Sequence, residues 1–288
     1  MKASFRNKGF TLIELMVSLA IGLLVALAAT QLFVANQQSF NLQRGMGDVQ
    51  DNGRFALDFM GHDIRLSGAK ASEFRLANSK YSRRAVVSTI TDSAVADATL
   101  LSLDGSSALG IGPASDQLTI QHTSLDDNNR DCEGNVAPFN SVIVNRYFIR
   151  ADNASNTPSA LACDGGYYDP DTGVVTAIGD AGVVLLSGVD SFQALYGINN
   201  GGATSCVPVR YVTAAQYNAL PNAATTIILA VKIGLVVRSQ DTTGGLPASP
   251  AFQVLDAAIP ATAVPRDGRI RRLFTATMAL RNAVPSDC

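Results

Sequence analysis

Residues Lys8 to Leu24 read KGFTLIELMVSLAIGLL, an apolar run interrupted by one carboxylate, Glu14, five residues after a Gly–Phe junction. A charged side chain inside a membrane-spanning helix is disfavoured by about 2.5–3.5 kcal/mol on insertion scales, so such a residue needs a partner and a purpose. Hydrolysis between Gly9 and Phe10 would create one, an α-amino group a helical turn from Glu14. The competing reading is an ordinary secretory signal, with a basic start, an apolar middle and a small-residue cut near Ala26-Leu27-Ala28. Two features count against it. The uncharged stretch from Leu15 to Val34 runs 20 residues, enough to span the hydrocarbon core and longer than a signal core of about 7–15. A glutamate near the start of that stretch also has no role in a discarded peptide.

The segment resembles the class III signal of type IV prepilins and type II secretion pseudopilins. The matching pieces are a short basic leader (Lys2, Arg6, Lys8), Gly9 before the scissile bond, Phe10 as the new terminus and Glu14 as the fifth mature residue. The resemblance implies that a membrane-embedded prepilin peptidase removes the leader and N-methylates Phe10. It also implies that the apolar helix stays on the mature chain, and that Glu14 engages a neighbouring subunit's amine.

Composition bounds the remainder. With 288 residues, 47% of them hydrophobic, the chain can bury a full-sized core in a head of one domain or two small ones. Loss of the leader would leave 19 basic against 24 acidic side chains. No block of Lys and Arg argues for nucleic acid, because Arg83-Arg84 and Arg269 to Arg272 read as solvated strand edges. The four cysteines, Cys132, Cys163, Cys206 and Cys288, show no CxxC and no cysteine–histidine spacing, which disfavours zinc. In an oxidising compartment they pair most simply as disulfides, and of three connectivities sequential pairing, Cys132–Cys163 and Cys206–Cys288, is favoured, with free buried thiols as the alternative.

Beyond the apolar run, Leu42, Met46, Val49, Ala56, Met60 and Ile64 recur at steps that fit one helical face. One long helix is expected from Phe10 to about Ser67, ending at Gly68 as a left-handed cap. Gly45, Gly47, Gly53 and Gly61 weaken it by about 1 kcal/mol each relative to alanine, so a break near Gly45 to Gly47 stays open. From Val86 onward the period shifts toward two. Strands are expected at Leu118 to Gln121, Val142 to Arg150, Val183 to Leu186, Ser191 to Ile198, Leu229 to Arg238 and Arg272 to Arg281, the last two as central strands. Asp241 to Gly268, with Pro247, Pro250, Pro260 and Pro265, reads as a long exposed loop. A short helix is expected at Ala214 to Leu220, with Thr213 and Gln216 as a capping box.

Several stretches narrow the resemblance: NGRFALDFMGHDIRLSGA (Asn52 to Ala69), a DCxG element (Asp131 to Gly134), VNRYFIR (Val144 to Arg150), GVDSFQALYGIN (Gly188 to Asn199), AVKIGLVVRS (Ala230 to Ser239) and RRLFTATMALRN (Arg271 to Asn282). Together they are similar to the PilW class of type IV pilus minor pilins. The resemblance implies an α+β, type IV pilin-like fold, with a long N-terminal helix packed on an antiparallel β-rich head that carries a second β-layer. Its divisions would be a leader at 1–9, a transmembrane and filament-core helix at 10–35, an amphipathic helix at 36–68 and the head at 69–288. It implies a subunit that helps prime, and caps, the pilus as part of a minor-pilin tip complex. Its partners would be the other minor pilins, the major pilin, the inner-membrane assembly platform and a large tip adhesin. The chain would cross the inner membrane once with a periplasmic head before reaching the cell-surface pilus. A type II secretion pseudopilin of the J type, or a tip adhesin, are the alternatives. Gly201 to Pro208 and Cys288 depart from the family pattern.

No catalytic constellation is visible. His62 and His122 have no acid and nucleophile at triad spacing, and neither a P-loop nor GxSxG occurs, so the chain reads as a non-enzyme without a cofactor. Asp126 to Asp131, and Asp169 with Asp171, could offer oxygens to Ca²⁺ but miss the EF-hand register, and turn-forming Asx chemistry is the better account.

Overall fold

The computed structural model describes residues 9–69, 84–89, 92–152, 157–199, 207–223, 226–243 and 250–283. It separates into two compact units, Met1–Arg44 and Gly45–Cys288. Helix α1 spans Leu12–Leu66 with no break at Gly45 to Gly47. Within the first unit its side chains are exposed almost throughout. Within the second, Gly45, Val49, Gly53, Ala56, Met60, Gly61 and Ile64 form a buried stripe at helical spacing. Gly68 follows the helix at φ 78° and donates its N–H to the carbonyl of Gln121 at 2.8 Å, the left-handed exit its lack of a Cβ permits. Asn282 Nδ2 donates to the last carbonyls of α1, Arg65 O at 3.1 Å and Leu66 O at 3.3 Å, groups that have no partner inside the helix.

The head holds two antiparallel sheets. In the larger, β1 (Leu103–Ser107), β2 (Ser115–Thr123), β3 (Val142–Asp152), β4 (Thr157–Tyr168) and β5 (Val175–Thr176) lie in sequence order, and β6 (Val183–Ser187) also pairs with β4. In the smaller, β12 (Arg271–Ala279), β9 (Ile228–Arg238), β7 (Val189–Ile198) and β8 (Arg210–Val212) are neighbours in that order. The main core joins the buried stripe of α1 to Val231, Ile233, Leu235 and Val237 of β9, Phe192, Ala194 and Tyr196 of β7, and Leu118, Ile120, Tyr147 and Leu161 of the larger sheet. Between β7 and α2 (Ala214–Asn218) the chain turns through β8, and α2 opens on the expected capping box. There Thr213 Oγ1 accepts from Gln216 N at 3.3 Å and Gln216 Oε1 from Thr213 N at 3.1 Å.

The two sheets are stitched by side chains. Ser115 Oγ accepts the N–H of Phe192 at 3.1 Å, and the Asp116 carboxylate accepts those of Ala194 and Gly105, each at 2.9 Å. These acceptors satisfy β7 amides that the three-residue β8 is too short to reach. Burial pushes the Asp116 carboxyl up to about 7, against the pull of its two backbone donors.

Three sequence expectations need correction. Among the described residues strand β12 is an edge, paired with β9 alone. Its alternation does place Phe274, Ala276 and Met278 against the core, while Arg272, Leu273, Thr275 and Thr277 stay largely exposed. The stretch Asp241 to Gly268 is not simply an exposed loop. It contains the hairpin β10 (Phe252–Val254) and β11 (Ala257–Ile259), and Val254, Ile259 and Val264 bury the back of β9 at Val236. Strand β4, central in the larger sheet, has no counterpart among the expected strands, and its Gly165-Gly166 pair is of a kind that weakens a strand pattern. Both glycines answer to crowding. A Cβ at Gly165 would lie 2.7 Å from the Asp131 carboxyl carbon, and one at Gly166 would lie 2.5 Å from Thr176 O.

Candidate functional site

Gly9 and Phe10 precede α1 and are exposed, Phe10 at 87%. Thr11 is the residue before the first turn, and Glu14 is the third helical residue. Their side chains close a reciprocal cap: Glu14 N donates to Thr11 Oγ1 at 3.3 Å, and Thr11 N donates to Glu14 Oε2 at 2.9 Å. The Thr11 hydroxyl also donates to Oε2, at 3.0 Å. All described bonds to this carboxylate fall on Oε2, so Oε1 accepts nothing from the described residues. The T-x-x-E spacing of residues 11–14 announced this cap, and the sequence reading passed over it in favour of the acid alone.

The apolar segment after the cap returns its own hydroxyls to the backbone. Ser18 Oγ donates to Glu14 O at 2.6 Å, and Thr30 Oγ1 donates to Ala26 O and Leu27 O at 3.0 and 2.9 Å. In a medium without water such satisfaction is required, since each unpaired polar group is heavily penalised. Among the described residues, α1 is the one helix long and apolar enough to cross a membrane.

The other end of α1 is tied to the head through Asp63. Its Oδ2 accepts from Asn145 Nδ2 at 2.7 Å and from the Tyr147 hydroxyl, and Asn145 Oδ1 in turn accepts from Cys132 N at 3.0 Å. Burial, with the adjacent Asp63 charge, drives the Tyr147 hydroxyl well above its ordinary range, so it stays a donor. Cys132 is joined to Cys163 of β4 by a disulfide across a separation of 31 residues. The DCxG element now has a physical account. Asp131 Oδ1 accepts the amides of Glu133 and Asn135 at 3.0 and 2.9 Å, Cys132 makes the cross-link, and Gly134 takes φ 93° to close the turn.

Residues 146–282 match the family model described as Type IV Pilus-assembly protein W, and residues 4–30 match that of the prokaryotic N-terminal methylation motif. The chain thus combines a prepilin-type N-terminus with a head similar to the PilW family of type IV pilus assembly proteins. A type IV-like pilin from Thermus thermophilus is 16% identical with a TM-score of 0.34, over 60% of this chain and 83% of that one, a likeness too slight to carry an argument. No curated protein matches the chain. The methylation motif and the apolar α1 are consistent with membrane anchoring and pilus assembly.

The other residues singled out in the sequence fall in different places. The basic leader, Cys206 and Cys288 lie outside the described residues. His62 is exposed on α1, whereas His122 on β2 is 7% exposed, and its Nδ1 has no hydrogen-bond partner among the described residues. Burial lowers the affinity of His122 for its second proton, keeping the ring neutral. Asp126 and Asp169 serve turns in the head. Asp126 Oδ1 accepts from Asn128 N at 2.8 Å, and Asp169 Oδ1 from Asp171 N and Thr172 N at 2.8 and 3.0 Å. The acids that do converge among the described residues are Glu133, Asp164 and Asp180, and the middle one is neutralised by Arg146 at 2.7 Å.

Proposed function

We propose that this PilW-family subunit helps prime assembly of the type IV pilus and caps it within a minor-pilin tip complex. In this reading the prepilin peptidase cuts between Gly9 and Phe10, Phe10 becomes the N-methylated terminus, and the head stays periplasmic until assembly. The observation that carries it is the divided carboxylate of Glu14, with one oxygen committed to its own helix start and the other open, at the head of an exposed apolar helix. The internal cap makes the acid tolerable while the subunit waits in lipid. In the fibre the open oxygen meets a neighbour's ammonium and favours one axial register. Extraction is feasible because the apolar surface leaves lipid only to be covered by the same segments of neighbours.

Glu14→Val is expected to leave leader cleavage intact and the head folded, yet to abolish recovery of the subunit with sheared pili. Normal piliation by that variant would sink the register argument. Mass spectrometry of the mature chain should show an N-methylated phenylalanine at residue 10. For the priming role, detergent-solubilised full chain should co-purify with other minor pilins, and failure to retain any of them would remove its support.

A further inference from the structure

Between the 138–141 loop and the turn that joins β4 to β5 lies an open cleft of about 260 Å³, remote in sequence from the assembly segment. It is smaller than the roughly 300–1,000 Å³ of pockets for drug-sized ligands, which suits a single ring. Phe139, 52% exposed, and the half-buried Tyr167 give it aromatic surface, and Asn140, Asp169, Asp171 and Thr172 give it polar groups. None of its described lining residues is cationic.

Asn140 is the informative residue. It is only 7% exposed and sits at φ 65°, yet its side-chain amide makes no hydrogen bond to any described residue. A side-chain amide with no protein partner is uncommon in so largely buried a residue, and its hydrogen bonds are left to whatever occupies the space beside it. The amide is also not among the unpartnered polar atoms sealed from solvent, so it borders the open space of the cleft.

We propose that this cleft binds an uncharged sugar ring. The donor and acceptor chemistry selects hydroxyl groups: an Asn amide needs both an acceptor and a donor opposite it, while the exposed Asp171 carboxylate needs a donor. A hydroxyl supplies both roles. An amine would leave the Asn140 N–H groups unmatched, and an anion would face the Asp171 carboxylate with no cation among the described lining residues. The aromatic side of the cleft then takes the apolar C–H face of the ring. The proposal is independent of the assembly role, since it concerns the head surface alone.

The test is titration calorimetry on the full chain held in a detergent without a sugar headgroup. The probes are the methyl glycosides of glucose, galactose, mannose and N-acetylglucosamine at millimolar concentrations, with galacturonate as the anionic control. Saturable binding of at least one neutral glycoside, weakened at least about tenfold by both Asn140→Gly and Phe139→Ala, is the expected result. Glycine tolerates the left-handed backbone at residue 140, and the Phe139 side chain is half exposed, so both variants should keep the wild-type unfolding midpoint. Absence of saturable binding by every neutral probe, equal binding of galacturonate, or affinity unchanged in either variant would overturn the proposal.

Discussion

Helix α1 keeps one backbone geometry and meets two different surroundings, and its glycines separate them. Before Arg44 its apolar side chains, Leu12 to Val34, stand exposed and unpartnered in the single subunit. From Gly45 onward the same helix buries a stripe in the head, and three of its glycines, Gly45, Gly53 and Gly61, recur every eight residues on that stripe. A Cβ at Gly45 would lie 2.8 Å from the Thr243 methyl, one at Gly53 would enter the Phe274 ring, and one at Gly61 would lie 3.2 Å from the Met278 methyl. Gly47, between them, faces open space. What looks like a uniform weakness in propensity is therefore close packing at three positions and weakness at one.

The comparison can be broken most severely at the cross-link that supports the packed half. Replacing Cys132 and Cys163 together by serine should destabilise the head by about 3 kcal/mol in urea unfolding, from the loop entropy returned to the unfolded chain. It should also loosen the Asp63–Asn145 connection, read as faster amide exchange in the last turns of α1 but not in residues 12–44. Gly53→Ala should destabilise by about 1–3 kcal/mol, because overpacking against Phe274 outweighs the gain in helix propensity. Gly47→Ala is the matched control and should stabilise by up to about 1 kcal/mol. If both substitutions move the unfolding midpoint in the same direction, the division between the glycines is wrong.

The smallest effect is a dependence on pH. Burial lowers the pKa of His122 in the folded chain, so the unfolded chain binds that proton more readily. The stability contributed by the neutral ring is therefore fully present above about pH 6.5 and is lost as the pH falls toward the folded value. His122→Phe should flatten the acid limb of a stability–pH curve; an unchanged limb would assign it to other groups.

The sequence made the largest features legible where one periodicity dominated. The alternation from Leu229 to Arg238 marked β9, and the Thr213–Gln216 spacing marked the start of α2. It was less informative where a residue's reason lay in a distant segment. Gly165-Gly166 looks like a turn until Asp131 and Thr176 are set against it, and the spacing of Gly45, Gly53 and Gly61 has no meaning until Thr243, Phe274 and Met278 lie alongside. Strand β12 passed for a central strand because its solvent side carries Leu273, Thr275 and Thr277, an uncharged row that alternation alone cannot distinguish from a buried one. At the assembly segment both the position of Glu14 and, through the T-x-x-E spacing of residues 11–14, its engagement by Thr11 were legible, whereas the open Oε1 required the atoms.

Asn282 reaches across 217 residues of sequence to finish the end of α1. During synthesis the helix must therefore emerge and wait, its docking groove incomplete, until the ribosome has passed the last strand. Contacts of such high order close slowly. A ribosome stalled short of residue 271 would leave an anchored nascent chain with Val49, Ala56, Met60 and Ile64 bared toward the compartment where the head folds. That is the form of this subunit that quality-control proteases and chaperones would be the first to meet.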